Sequence, residues 1–351
     1  MASVGRVGYM AQNIEDIAKA AGVSRSTVSR VLNGEQYVSA TTRERVMSII
    51  EREGYTPNPA ARALVTQRSQ AIGVMIPHDL ATVFDNPWYF PTLLQGVSDR
   101  TTERGYAMLL WMGRSENAED LLYRRVTNNR LMDGMLVASA TGDNPLIPHL
   151  LDSGLPFVTV ERPATHGDRI NYVTLDNIEG ARTAVSHLIR LGRRRIGIIT
   201  GALNNMDGVD RLVGYKQALI QAGLPIEPSL IAEGNWDTQG GHQAAKRLIE
   251  NGVDAIFSSN DIMALGVIEA ATEMGVQIPR DLALIGFDDL PLASPIPLTT
   301  IRQPLRQKGA AAIDLLLDLI EGRTVGPQHI FLPTQLVIRQ SCGTNMVHKS
   351  A

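Results

Sequence analysis

The sequence predicts an N-terminal all-α helix-turn-helix head with a short hinge helix, followed by a two-lobed α/β body with parallel sheets. Three observations carry that prediction. In the opening segment, apolar residues recur at three- and four-residue steps on either side of a glycine-containing turn. From Ala71 onward the pattern changes to short continuous apolar runs that alternate with amphipathic stretches, as in parallel sheets covered on both faces. That second pattern occurs twice, and "MDGMLVAS" (132–139) echoes "VDAIFSSN" (253–260). The expected division is a head at 1–57, a hinge helix and linker at 58–70, and a body at 71–341. Within the body, one lobe spans about 71–171 plus 300–320 and the other about 172–300 plus 321–341.

In the head, Ile14, Ile17, Ala18 and Ala21 share one helix face, and Val28, Val31 and Leu32 share another. Between them, Gly22 turns the chain and Ser24 caps the second helix. Two short helices joined in this way make a helix-turn-helix. Packing the three apolar residues inward leaves Arg25, Ser26, Ser29 and Arg30 facing out, with Asn33 just beyond. That face suits the DNA major groove, where arginine can bridge guanine O6 and N7 and serine can pair with several base edges. Ser24 and Thr27 are placed to contact phosphate and set register. A solvated face carrying two arginines would show the same periodicity. "SATTRERVMSIIEREGY" reads as a third helix, capped by Ser39 or Thr41, buried through Val46, Ile49 and Ile50, and stopped at Gly54. "YTPNPAARALVTQ" then offers Asn58 as a cap and Pro59 in the first turn of a helix reaching Val65. A helix of this length is marginal alone. Docking would give it a surface to fold against, with Leu64 as a wedge for a minor-groove step; an interdomain linker helix is the alternative.

In the body, "AIGVMIP", "YAMLLWM", "DGMLVAS" and "PFVTVE" read as strands of the first lobe. "RIGIITG", "SLIAEGNW", "AIFSSN" and "LALIGFDD" read as strands of the second, while "LTTIRQP" and "HIFLPTQLVIRQ" cross back between lobes. Ligands of open α/β sheets sit beyond the carboxyl ends of the strands. Candidates there are Asp79, Trp88, Tyr89, Phe90, Glu161 and Arg162 from the first lobe. The second lobe contributes Asp176, Asp210, Arg211, Trp236, Asn260, Asp261, Asp288 and Asp289. Carboxylates, amides and an arginine suit a polyhydroxylated ligand, and aromatic faces cover sugar C–H surfaces. A nucleobase stacked on Phe90 is the second option. Asp261 is expected to cap the helix "IMALGVIEAA" rather than meet ligand, Asp289 can cap a turn, and Trp88 or Phe90 can be core. Enzyme chemistry finds little support. "GIITGALNNMDG" has neither G-x-G-x-x-G spacing nor a Walker lysine, and neither G-x-S-x-G nor H-E-x-x-H occurs.

The net charge of −3 is unevenly spread. Residues 1–68 hold nine Lys/Arg against six Asp/Glu, a net of +3, which leaves −6 on the remainder. A basic head on an acidic body means that the head is the part suited to a polyanion. Cys342 is the only cysteine, so an intrachain disulfide and a cysteine-based metal cluster are excluded. No metal or cofactor is expected. The absence of an apolar leader or long apolar run predicts a cytoplasmic protein without membrane contact.

"IEDIAKAAGVSRSTVSRVLNG" followed by "GYTPNPAARAL" resembles the LacI/GalR family of bacterial transcription regulators. The resemblance implies that Arg25, Ser26 and Arg30 read bases, that Asn58 and Arg62 occupy hinge positions and that Leu64 enters the minor groove. It extends over the body, which resembles the family's periplasmic-binding-protein-like effector domain. There it implies ligand contacts from Arg211 in "DRLVGY", Trp236 in "EGNW", Asn260 in "SSND" and Asp288 in "GFDD", with the aromatics at 88–90 lining the same cleft. "NPWYFP" is richer in aromatics than that family segment usually is. The expected partners are double-stranded operator DNA, a small-molecule effector (a sugar by preference) and a second copy of the chain. A solute-binding protein sharing the body fold is the rival from another class, and the head counts against it. One head reaches one half-site, so a homodimer on a pseudo-palindrome follows.

Overall fold

A computed structural model describes residues 13–32, 35, 37–55, 68–78, 83, 88–113, 131–139, 141–142, 144–324 and 326–344. The chain divides into two compact units, Met1–Ser69 and Gln70–Ala351. Asn33, the Asn58–Val65 segment with Asn58, Arg62 and Leu64, and Asp79 lie outside the described residues.

The first unit holds α1 (Ile14–Ala21), α2 (Arg25–Leu32) and α3 (Ala40–Glu53). Asn13 and Asp16 form a reciprocal capping box at the start of α1. Gly22 ends that helix at φ 63°, the left-handed region that glycine enters without a Cβ penalty. The Ser24 hydroxyl accepts from the Thr27 amide at 3.1 Å and so caps α2. Ser39, not Thr41, caps α3, and Gly54 terminates it. Ile17, Ala18, Ala21, Val28, Val31, Val46, Ile49 and Ile50 form the core of the unit, with one apolar stripe from each helix.

The second unit contains two six-stranded sheets of matching topology. The first is built from β1 (Ala71–Ile76), β2 (Ala107–Met112), β3 (Gly134–Ala138), β4 (Phe157–Val160), β5 (Asn171–Leu175) and β11 (His329–Leu332). Its order is β2-β1-β3-β4-β5-β11, all parallel. The second comprises β6 (Ile196–Thr200), β7 (Ile231–Glu233), β8 (Ala255–Ser258), β9 (Ala283–Asp288), β10 (Thr299–Arg302) and β12 (Gln335–Val337). It runs β7-β6-β8-β9-β10-β12, with only β12 antiparallel. The echoing stretches thus carry β3 and β8, which stand at equivalent places in the two sheets.

On the first sheet, α4 (Tyr89–Glu103) and α10 (Leu305–Ile320) cover one face and α5 (Leu146–Ser153) the other. On the second, α6 (Asn177–Arg190) and α7 (Met206–Gln221) cover one face, and α8 (Thr238–Glu250) and α9 (Asp261–Glu273) the other. β1, β3, β4, β6, β8 and β9 are buried along their whole length, which is why each reads as a continuous apolar run.

The lobe limits differ from expectation in three places. β5 continues the first sheet to Leu175, past 171. β10 stays in the second sheet, so the chain returns to the first lobe with α10 rather than at 300. The single strand expected over "HIFLPTQLVIRQ" is two. β11 pairs with β5 in the first lobe and β12 with β10 in the second, so 321–341 is not all second lobe. Pro333 and Thr334 separate them, and a proline without an amide proton suits such a break.

Candidate functional sites

Two sites emerge, one in each unit. In the head, Arg25, Ser26 and Arg30 are exposed and Ser29 is half-buried, while Val28 and Val31 point inward. The face proposed for reading bases is therefore open. Its arginines are held loosely: Arg25 lies 3.6 Å from Glu15 and Arg30 3.7 Å from Glu35, with all four side chains well exposed. Surface pairs of this kind contribute little and can be exchanged for phosphate or base contacts. Ser24 and Thr27 hydroxyls lie 2.9 Å apart at the helix N-terminus, where backbone amides favour an anion.

In the body, the carboxyl ends of both sheets converge on a polar cluster. From the first lobe, the Glu161 carboxylate follows β4. One oxygen accepts from the Ser139 amide at 2.6 Å, and the other accepts from Tyr89 Oη at 3.0 Å and Lys308 Nζ at 3.2 Å. From the second lobe, Arg211 on α7 is only 2% exposed, with its guanidinium carbon 3.7 Å from the Phe287 ring centroid and 5.5 Å from that of Trp236. Its Nε donates to Asn177 Oδ1 at 2.9 Å and Nη1 to the Ser259 carbonyl at 2.5 Å. Asp207 and Asp288 stand 3.6 and 3.9 Å from it. Gln303 Nε2 donates to the same Asp288 oxygen, Oδ1, through a short contact.

The backbone at these residues is unusual. Glu161 has φ 111° and Asp288 φ 122°, and they end equivalent strands of the two lobes. Ser139 and Trp236 also have positive φ. Strained positions of this kind cost free energy and persist where the surroundings over-determine them, commonly at ligand sites.

Burial dominates the electrostatics. It pushes Asp288 up to about 7, against the downward pull of Arg211 and the Gln303 hydrogen bond. It raises Glu161 too, with Lys308 opposing and Asp207 of the other lobe adding to the rise. Tyr89 lies well above its ordinary value through burial and then the charge of Glu161, so its hydroxyl stays a neutral donor.

The remaining candidates divide. Phe90 packs in the first-lobe core at 7% exposure, edge-on to Tyr89, so it offers no free face for stacking; Trp88 is 41% exposed. Trp236 lies over Gly201, where a Cβ would stand 2.0 Å from the indole, so only glycine admits the ring. Asn260 is itself the cap of α9: Oδ1 accepts from the Met263 amide at 2.7 Å and Nδ2 donates to the Trp236 carbonyl at 3.0 Å. This corrects the assignment of the cap to Asp261, which accepts from the Thr300 hydroxyl and Leu290 amide and so anchors the loop after Asp288. Asp289 pairs with Arg302 and Arg339 rather than capping a turn, and Asp176 caps α6.

Arg162 and Asp210 join the lobes through a two-point pair at 3.2 and 2.5 Å, and the Gly142 amide donates to the Asn204 carbonyl beside it. Lys308, Gln303, Asn177 and Asp207 were not among the sequence candidates. For Lys308 a signal existed. It stands on the stripe of α10 shared by Leu305, Gly309 and Ala312, a charge where the pattern demands an apolar residue.

Comparison with known proteins adds two family matches. The bacterial regulatory proteins, lacI family, match residues 13–58, and the periplasmic binding protein-like domain matches 185–342. The HTH-type transcriptional regulator CelR of Thermobifida fusca is 36% identical over 333 residues, 93% of this chain and 97% of that protein. Catabolite control protein A of Priestia megaterium is 34% identical over 336 residues, 93% of this chain and 98% of its own. Among solved structures, a CelR–cellobiose complex is similar at TM-score 0.75 and 33% identity, covering 94% of this chain and 99% of that one. A lac repressor dimer bound to operator and the anti-inducer ONPF reaches TM-score 0.78 at 28% identity, with the same coverage.

Proposed function

Because the chain belongs to the lacI family of bacterial regulatory proteins, and is a DNA-binding transcriptional regulator rather than an enzyme, we propose that it is a sugar-responsive repressor acting as a homodimer. The observation that carries the sugar assignment is the cluster of half-buried Tyr89 with buried Glu161, Arg211 and Asp288 at facing strand ends, with Trp236 beside it. Likeness to a regulator solved with cellobiose supports the same reading.

In this reading Arg25, Ser26 and Arg30 read base edges, with Ser29 on the same face, and Ser24 and Thr27 set register on the backbone. Asn33 and the hinge residues Asn58, Arg62 and Leu64 complete the DNA contacts. Ligand engages both strand-end clusters and favours the closed arrangement of the lobes. In a dimer this alters the spacing of the hinges, and so operator affinity. Only differential affinity of the ligand for the two arrangements is required. The protein works in the cytoplasm, where operator DNA is.

The test is operator selection from genomic fragments with the full-length protein, then titration of the selected site. Arg25→Ala is expected to weaken specific binding by about tenfold and relax preference at one base pair, in line with one lost bidentate contact. Equal weakening on all sequences would remove the base-reading role.

A further inference from the structure

Among the described residues, the cations and side-chain amides of the cleft are turned toward protein oxygens. All three donor nitrogens of Arg211 face protein oxygens. Asn177 Nδ2 donates to Asp207, and Gln303 Nε2 to Asp288. Lys308 is fully buried and spends its charge on Glu161, with Tyr89 Oη 3.5 Å away. Gln303 Oε1, an acceptor, is buried and has no partner, and the buried hydroxyls of Ser259 and Thr200, each able to donate or accept, are likewise unmatched. These three residues stand at the carboxyl ends of β10, β8 and β6.

Charge points the same way. Among the described residues of the cluster, Glu161, Asp207 and Asp288 face Lys308 and Arg211, and each cation lies within 4.0 Å of a carboxylate. An incoming phosphate or carboxylate would find no unpaired cation among these residues. It would also stand beside buried carboxylates, a juxtaposition made costly by the low dielectric. A hydroxyl-rich neutral molecule can donate to Gln303 Oε1 and pair in either sense with the two hydroxyls, and leaving those groups buried without a partner carries a cost that binding would relieve.

We propose that the cleft selects an uncharged polyhydroxylated ligand and excludes its phosphorylated and acidic counterparts, and that Lys308 sets this selectivity by holding Glu161 as an acceptor. The proposal rests on the body being the sugar-binding half of the regulator. It adds which charge class of sugar is taken and names Lys308 as a positioning residue.

The experiment is thermal shift and calorimetric titration of the full-length protein, without DNA, using matched pairs. These are cellobiose with cellobionate, glucose with glucose 6-phosphate, and ribose with ribose 5-phosphate. The neutral member of a pair is expected to raise the melting temperature and the anionic member to leave it unchanged. An anionic sugar that raises it as far as its neutral partner overturns the proposal. Glu161→Gln removes the carboxylate and leaves the Lys308 charge unspent. In a variant that still melts cooperatively, neutral affinity is expected to fall, and affinity for the phosphorylated partner to rise by about tenfold, the scale of one charge-assisted hydrogen bond. No gain for the anion in Glu161→Gln overturns the role given to the Lys308–Glu161 pair. Lys308→Arg should keep the neutral preference, and its loss there counts against a role that depends only on charge. Because no DNA is present, failure of the wild-type chain to discriminate operator sequences would sink the regulator reading independently of these results.

Discussion

Single side chains in this molecule are set by what surrounds them more than by their own chemistry, and Asp288 shows the consequence. Burial lifts its carboxyl to about 7, whereas an unfolded aspartate titrates near 3.9. Between those values the folded state holds a proton that the unfolded state has released. Stability therefore falls as pH rises through the window, by at most about 1.4 kcal/mol per pH unit from this group. Asp288→Asn should remove that slope, and melting curves of both proteins at pH 5, 6 and 7 measure it. Parallel curves would mean that Asp288 is ionised throughout and that Arg211 outweighs desolvation. Gly201 gives a second prediction at this scale. Gly201→Ala puts a methyl group into the space held by the Trp236 indole, so the ring must move. The expected result is changed tryptophan emission and at least tenfold weaker ligand binding, with the cooperative melt retained, since the strained contact lies at the rim of β6 rather than in the core. Unaltered emission and affinity would show that Trp236 is not part of the cleft.

Elements carry the next layer, where the lobes are tied by the bidentate Arg162–Asp210 pair between the turn after β4 and α7. With Arg162 about one-third exposed, its coupling is expected near 0.5–1 kcal/mol rather than that of a buried pair. A double-mutant cycle with Arg162→Ala and Asp210→Ala should return that value as a two- to fivefold loss of ligand affinity, since the pair belongs to the lobe arrangement that brings both halves of the cleft together. Additive effects would show that the pair does not contribute to closure. Elements were also the best-read part of the sequence. A strand covered on both faces must be apolar throughout, so β1, β4 and β9 stand out in "AIGVMIP", "PFVTVE" and "LALIGFDD". The helix-turn-helix was equally legible because Gly22, Ser24 and the Val28–Val31 stripe are local signals. The division of β11 from β12 was not, because membership of a sheet is fixed by pairing with β5 or β10, residues far away in sequence. Lys308 escaped for a related reason. A search of strand ends for polar groups passes over a helix, and only the three-dimensional fold brings Lys308 Nζ within 3.2 Å of Glu161. Phe90 and Asn260 show the converse, since residue types suited to a ligand are here taken up by core packing and by a helix cap.

At the scale of the whole molecule, regulation requires that the state of a cleft in the second unit alter the DNA affinity of the first, and thermodynamics constrains how. If ligand changes operator affinity by some factor, operator must change ligand affinity by the same factor, and allosteric couplings are typically about 5–150-fold. Two titrations of the full-length protein measure it independently: operator binding with and without saturating ligand, and ligand binding with and without saturating operator. The two ratios are expected to agree at low and at moderate salt. The absolute operator affinity should fall steeply between those conditions, because the positive charge is concentrated in the head and each phosphate contact releases counterions. A ratio whose size stays constant while absolute affinity falls would place the coupling in the arrangement of the lobes rather than in charge exchanged between ligand and DNA. A coupling that vanishes with salt would assign the response to direct electrostatics, and would leave the closing of the lobes without a regulatory role.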